Sequence, residues 1–341
     1  MQGLSGKLPK KIGTAAETMF FLAFGGCFEQ DMTSKGVPMS TNTRPKRVLI
    51  TGCSSGFGLL TAVEAAKAGY EVIATMRNLK KAEYLRQALD QVGANAAIEP
   101  LDVTDHIQIA QIAQKYGHVD ILINNAGILV MGSFLDISEA EMRTVFETNF
   151  FGIVTLTRAI VPGMIQASSG RIINVASLAG RIGHPFNAAY GASKHALIGF
   201  SRSIRVELRP FNIQVVSVEP GYHKTEIIRA NANVAENFYN PDSPMLQYNR
   251  GFLRLMSDEI IPCAGEADRV VRTLLKIMAA PHPRRHYIVG RDARFTTTVQ
   301  WLGLMPFLEK KAHRKLMSAT RRESRRAEAK RNRRKRHETG A

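Results

Sequence analysis

From Lys46 onward, short apolar runs alternate with amphipathic stretches, and that order admits few architectures. The runs fall at 48–50, 72–74, 97–101, 119–123, 171–175 and 213–218, with helical patterns between them. Apolar runs of this length read as strands covered on both faces, which is the signature of parallel pairing. Strands separated by helices in turn predict an α/β chain with a doubly wound sheet. At 341 residues and 45% hydrophobic composition, the chain can cover such a sheet on both sides. About 75% of the unfolded surface can be buried at this size. There is no internal repeat of 20–50 residues to suggest a solenoid.

The first run leads directly into Thr51-Gly52-Cys53-Ser54-Ser55-Gly56-Phe57-Gly58, and a helical pattern follows. Glycines here allow a tight turn and let a pyrophosphate approach the backbone, while the next helix points its N-terminal N–H groups at the anion. The end of the second strand separates nucleotide types. An acid there would hold a ribose 2′-hydroxyl, whereas an arginine suits a 2′-phosphate. Val72-Ile73-Ala74-Thr75-Met76-Arg77 ends in Arg77, with Asn78, Lys80 and Lys81 close behind. This favours NADP (NADPH) over NAD. The competing reading of Arg77 is an ordinary solvated loop cation.

A helix expected over 188–209 carries Leu197, Phe200, Ile204 and Leu208 on one face. Tyr190 and Lys194, four residues apart near its start, share a face. A tyrosine hydroxyl titrates near ~10, so it needs a neighbouring cation to work as an acid–base group at neutral pH. Ser177 closes the strand over 171–176, where its hydroxyl would face a cleft. Taken alone, Tyr-x-x-x-Lys is common on helix surfaces; with Ser177 and the glycine loop it becomes specific.

These residues resemble the short-chain dehydrogenase/reductase family, and the match runs over about 46–290. It rests on Thr51 to Gly58, Asn124-Asn125-Ala126-Gly127, Ser177, Tyr190-Gly191-Ala192-Ser193-Lys194, and Pro220-Gly221 with Thr225. Within the family, the glycine loop and Ala74-Thr75-Met76-Arg77 are most similar to the hydroxysteroid and retinol dehydrogenase branch. The resemblance implies that Tyr190 exchanges a proton with the substrate oxygen, that Ser177 hydrogen-bonds that oxygen, and that Lys194 lowers the Tyr190 pKa and grips the nicotinamide ribose. Asn149 would extend a proton relay. It sits within an apolar stripe of Met142, Val145, Phe146, Ile153 and Leu156, where a buried polar group must find partners. Asp102 and Val103 would meet the adenine, Asn125, Ala126 and Gly127 the cofactor, and Thr225 the carboxamide. Asn124 is read as structural, tying the central strands together.

The expected organisation is therefore a single Rossmann domain over 46–300 with a central parallel sheet and a small substrate lid at about 226–262. Phe238, Tyr239, Pro241 and Tyr248 suggest an apolar cover in the lid. Met131, Phe134 and Phe186 are expected to meet a hydrophobic substrate of steroid, retinoid or lipid-like character. His184 and His223 read as loop histidines rather than acid–base groups, since Tyr190 fills that role. No His/Cys/Asp cluster has metal-ligand spacing, and hydride chemistry needs no metal when a nicotinamide carries it.

The termini differ from this domain. Residues 1–45 are expected to form a loosely ordered extension. The apolar stretch Met19 to Phe28 is too short to span a membrane, and no small-x-small cleavage site follows it. Of the net charge of +17, residues 310–341 carry +11, with 14 Lys or Arg against three Glu. Partner arguments from charge thus belong to the tail, expected to be a basic helix from about 301 followed by a disordered end. A tail of this kind suits weak contact with an anionic membrane or with nucleic acid. Three scattered cysteines exclude a disulfide scaffold and suit a reducing, cytoplasmic setting, peripheral to a membrane if the tail binds one. The resemblance also implies a homo-oligomer. Two functions compete: an alcohol dehydrogenase or carbonyl reductase acting on CH–OH groups, and a nucleic-acid- or membrane-surface binder on a dehydrogenase-like scaffold. The intact Ser177, Tyr190 and Lys194 favour the enzyme.

Overall fold

The computed structural model describes residues 44–224 and 232–338. The expected extension before residue 44, and Thr225 with the start of the lid, lie outside the described residues. Seven parallel strands form the central sheet: β1 (Arg47–Ile50), β2 (Glu71–Met76), β3 (Ala97–Pro100), β4 (Ile121–Asn124), β6 (Gly170–Val175), β7 (Ile213–Pro220) and β8 (His286–Val289). Their spatial order is β8-β7-β6-β4-β1-β2-β3. The six runs seen in the sequence are all present. The seventh strand, His-Tyr-Ile-Val, is a short edge of which only Val289 is buried, so it lacks the apolar run that marks the others.

Alternate side chains of each strand serve opposite faces of the sheet, and both faces are buried. Val48, Ile50, Val72, Ala74, Ile121 and Ile123 pack into one core, joined by Ala62 and Val63 of α1 (Gly56–Lys67) and Leu85 and Leu89 of α2 (Ala82–Gln91). Val270, Leu274 and Ile277 of α8 (Asp268–Ala279) complete that layer. Leu49, Ile73 and Leu122 point the other way. They meet Ile109 and Ile112 of α3 (His106–Tyr116) and Leu156, Ile160 and Met164 of α5 (Gly152–Gln166). The helices fall on both sides because the connections between parallel strands are crossovers. The sheet order reverses at β1/β4, and the crevice beyond the strand ends there is where this architecture binds ligands.

The long helical pattern after residue 138 is not uniform. α4 (Glu139–Phe146) starts at a capping box between Ser138 and Glu141 and passes through a π-turn, Glu147–Phe151, into α5. This continuous stretch is long and apolar enough to cross a membrane, but Ile153, Leu156, Ile160 and Met164 are committed to the domain core. The π-turn inserts one residue and rotates Asn149 into a buried position beside β5 (Leu129–Met131). Gly152, just after it, permits close approach to Val103: a Cβ there would stand 2.4 Å from the Val103 carbonyl oxygen.

The C-terminal region departs from expectation. The stretch expected to be disordered beyond Arg321 is helical: α10 runs as one helix, Met305–Glu338. Arg, Lys, Glu and Ala all have high helix propensity, and the first half of the helix is anchored by docking. It lies against α7 (Leu246–Leu255) of the lid. Ala319 is fully buried, and a Cβ on Gly251 would come within 2.2 Å of Thr320 Oγ1. Glu259 accepts ion pairs from Lys315 at 2.6 Å and Arg322 at 3.4 Å. Leu316 reaches the apolar cluster containing Phe252 and Phe186. The lid is therefore held from outside by the basic helix. From inside it is held by the buried Asp136 carboxylate, which accepts hydrogen bonds from Ser133, Ser243 and Asn249.

Candidate active site

A cleft of about 520 Å³ opens at the β1/β4 crevice. One end is built by the glycine loop. Gly52 and Gly56 have φ of +74° and +58°, a region that L side chains rarely occupy. A Cβ on Gly58 would stand 2.3 Å from the Gly52 carbonyl oxygen, so glycine lets α1 close onto the loop. Thr51 Oγ1 accepts from the backbone N–H of Asn125 and of Ala126, both at 2.9 Å, and Asn125 Nδ2 donates to the Thr51 carbonyl at 2.8 Å. Thr51 and Gly58 thus shape the cradle from behind. Gly52, Ser54, Ser55, Gly56, Phe57, Asn125, Ala126 and Gly127 face it.

Arg77 lies exposed at the rim with Asn78 and Lys81, and no carboxylate pairs with it among the described residues. Asp102 and Val103 line the same end, where Asp102 Oδ1 also accepts from Thr104. Asn124 is structural: its Nδ2 donates to Asn174 Oδ1 at 2.8 Å and to Thr157 Oγ1 at 3.0 Å, joining β4 to β6 and α5.

The other end holds the reactive groups. α6 (Ala188–Glu207) presents Tyr190 and Lys194 on one face, and Ser177 follows β6. Ser177 Oγ accepts from the Ala179 N–H at 3.1 Å and hydrogen-bonds the Tyr190 hydroxyl. Burial pushes the Tyr190 pKa up, and the Ser177 bond pulls it back. The Lys194 ammonium lies 5.8 Å from the Tyr190 ring centre. The same burial pushes Lys194 down to about 8. Its Nζ donates to the Val175 carbonyl at 2.9 Å. An ammonium has three donors, and the hydrogen bond to Val175 uses one. The space above it is kept open by Gly127, where a Cβ would stand 3.5 Å from Lys194 Nζ and 3.2 Å from Asn149 Oδ1. A ligand that offers hydroxyl groups to a buried cation fits that gap, as a nucleotide ribose does.

Asn149 is fully buried and hydrogen-bonded through both ends of its amide. Its Oδ1 accepts from the Ile128 N–H at 2.8 Å, and its Nδ2 donates to the Ile128 carbonyl at 2.9 Å and to Ser193 Oγ at 3.1 Å. It braces the Gly127–Ile128 backbone beside Lys194.

The expected substrate residues are placed differently. Met131 and Phe186 pack behind Tyr190 in the cluster with Phe252 and Met256, Phe186 stacking on Phe252 at 4.5 Å. Neither faces the cleft. Phe134 is 72% exposed outside it. Of the lid aromatics, Phe238 is buried against Val130, Ile137, Val145 and Ala189 of the main domain, and Tyr239 is largely exposed. The side chains that do line the reactive end are Ile128, Leu129, Leu178, His184, Asn187 and Tyr222. An apolar residue in a loop can fill a core or a pocket equally well, and its sequence position does not tell which. Asn187, not foreseen as a site residue, brings a buried Oδ1 that has no partner among the described residues. His184 packs edge-on to Tyr222, and burial lowers its pKa, which favours the neutral ring.

Asp292 was also invisible in the sequence. It begins α9 (Arg291–Trp301), after Gly290 at φ +121°, and its Oδ2 accepts from the Tyr222 N–H at 2.7 Å. Its carboxylate fills the space that a Cβ on Gly221 would need, 2.1 Å away. Asp292 thereby fixes the Pro220-Gly221-Tyr222 turn at the cleft wall. Burial, the Asp292 charge and Tyr190 together push Tyr222 up to about 12. As a positioning residue, Asp292→Ala should raise the cofactor KM about tenfold with a smaller change in kcat, the scale of one charge-assisted hydrogen bond. Asp292→Asn, which keeps an acceptor, should recover part of that loss. A fall in kcat at unchanged cofactor KM would contradict the assignment.

The family model for short chain dehydrogenases matches residues 46–235. The chain belongs to the short-chain dehydrogenase family. It is 39% identical to human retinol dehydrogenase 8 over 248 residues, covering 70% of this chain and 79% of that one. Among solved structures, a short-chain dehydrogenase from Streptomyces avermitilis aligns with a TM-score of 0.66 at 31% identity, over 79% of this chain and 97% of the other. A metagenomic short-chain oxidoreductase in complex with NADP aligns with a TM-score of 0.57 at 25% identity, over 72% of this chain and 98% of that chain. Membership in the family makes the protein an oxidoreductase with a Rossmann-type domain.

Proposed function

We propose that the protein is an NADP(H)-dependent oxidoreductase that interconverts a secondary alcohol and ketone, or an alcohol and aldehyde, on a hydrophobic substrate. The observation that carries this reading is the buried Lys194 ammonium, with donors to spare beneath Gly127 and beside the Ser177–Tyr190 pair. The glycine loop with Asp102, Val103, Asn125, Ala126, Pro220 and Gly221 would hold the dinucleotide, and the resemblance adds Thr225. The nicotinamide supplies the hydride acceptor or donor when bound. In the direction of reduction, Tyr190 gives its proton to the carbonyl oxygen while Ser177 holds that oxygen by a hydrogen bond. The Lys194 charge favours the resulting tyrosinate, and Asn149 continues the relay outward. In oxidation the same groups act in reverse.

An apolar substrate is supported by Ile128, Leu129 and Leu178 in the cleft and by the similarity to a protein named for retinol. The unpaired thiols of Cys53 and Cys263 suit a reducing, cytoplasmic setting. A screen of steroid, retinoid and fatty carbonyls with NADPH, followed by the loss of nicotinamide absorbance, tests the reading. Absence of turnover with every class would reject it.

The choice of NADP rests on Arg77 and on the NADP complex of the metagenomic relative. Arg77→Asp would set a carboxylate against the 2′-phosphate. The KM for NADPH should then rise about a hundredfold while that for NADH falls, since opposed like charges are costly even at a partly solvated rim. Equal use of both cofactors by the wild type would remove the basis for Arg77.

A further inference from the structure

The corner between α9 and α10 presents apolar side chains that the fold does not use. Trp301 is 84% and Phe307 72% exposed, with Phe295, Leu302 and Leu304 also open to solvent. The corner is nonetheless held in place. Met305 packs with Leu178 and Ile182, and Gln300 Nε2 donates to the Arg181 carbonyl at 2.8 Å. It therefore sits beside the loop that carries Ser177, at the reactive end of the cleft.

A basic stripe continues from this corner. Phe307, Lys310, Lys311, Arg314, Arg321 and Arg325 recur at helical spacing, so they share a face of α10. Arg314, Arg321, Arg322 and Arg325 line a shallow groove with His313, Met317 and Ser318. None of the stripe's cations forms an ion pair among the described residues, whereas Lys315 and Arg322 are paired with Glu259. Arg314, Arg321 and Arg325, unpaired and crowded into this groove, repel each other, and an anionic partner relieves that. Nucleic acid offers phosphates but no place for five exposed apolar side chains. A lipid surface offers both, with tryptophan and phenylalanine at the headgroup–acyl boundary and lysine and arginine at the headgroups.

We propose that the α9–α10 corner and the basic face of α10 dock on an anionic membrane, with Trp301 and Phe307 inserted and Lys310, Lys311, Arg314, Arg321 and Arg325 on the headgroups. Docked in this way, the cleft mouth lies next to the phase into which a lipophilic substrate partitions. That consequence rests on the substrate class proposed above; the docking itself does not.

The test uses the full chain with vesicles of phosphatidylcholine, alone or with about one third phosphatidylserine. Trp301 is the only tryptophan in the chain, so its emission reports insertion directly. A blue shift with the anionic vesicles, weakened by high salt, is expected. Each basic residue near an anionic leaflet is worth about a fivefold gain in binding, so replacing Arg314, Arg321 and Arg325 with Gln together should weaken co-sedimentation about a hundredfold. Trp301→Ala with Phe307→Ala should abolish the binding that survives high salt. Both variants should reduce a water-soluble carbonyl at the wild-type rate, because none of these residues lines the cleft. An unchanged Trp301 spectrum with anionic vesicles would overturn the proposal, as would tighter binding to mixed-sequence DNA that the two aromatic replacements leave intact.

Discussion

Replacing Tyr190 with Phe is expected to cut turnover by ~10²–10⁴-fold while leaving cofactor affinity nearly unchanged, the scale of a lost general acid–base group. The ring would keep its place, because Tyr190 packs against the cluster of Met131, Phe186 and Phe252. Only the bond to Ser177 and the transferable proton disappear. Fluorescence titration with NADPH should therefore give a dissociation constant close to wild type, and single-turnover reduction should show the whole defect. Near-normal turnover would sink the mechanism, since no other titratable side chain is bonded to Ser177 among the described residues.

Lys194→Met should have two opposite effects. Turnover is expected to fall by ~10²–10³-fold, because the cation that favours tyrosinate and meets the ribose is gone. Stability of the cofactor-free protein is expected to rise by roughly 2 kcal/mol. Holding the ammonium at about 8 rather than the ordinary 10.5 corresponds to a burial penalty of about 3 kcal/mol, and losing its bond to the Val175 carbonyl returns about 1 kcal/mol. The trade marks a group kept for function at the expense of the fold. Urea unfolding of the two proteins at pH 7 measures it, and a variant less stable than wild type would contradict the account.

The same group predicts how that difference depends on pH. Below about 8 the lysine is charged in both the folded and unfolded states, so the penalty is fully present. Between about 8 and 10.5 the folded protein has released the proton while the unfolded chain still holds it, so raising the pH relieves the penalty. Wild-type stability should thus gain on the variant across that window. Tyr190 acts in the opposite sense at higher pH. Its folded pKa is raised above the usual 10, so its contribution is lost as the unfolded chain ionises above that value. Both proteins retain Tyr190, so this second effect largely cancels in the comparison.

The sequence by itself determined the parallel sheet, the glycine loop and the pairing of Tyr190 with Lys194. Each is written in local periodicity: apolar runs for β1, β2, β4, β6 and β7, glycines where the backbone must take positive φ, and a four-residue spacing on one helix face. What lay beyond local reach was settled by packing. Asp292 reaches Tyr222 across 70 residues, and in the sequence it is an unremarkable acid at a helix start. Asn149 gains its position from a π-turn whose extra residue follows no repeat. Met131 and Phe186 turned away from the cleft because the lid presents Phe252 and Met256 to cover them. The basic tail, too polar to form a core, became a docked helix because Gly251 lets Thr320 and Ala319 approach the lid closely. Periodicity fixes which face of an element is apolar; only the assembled chain decides what that face meets.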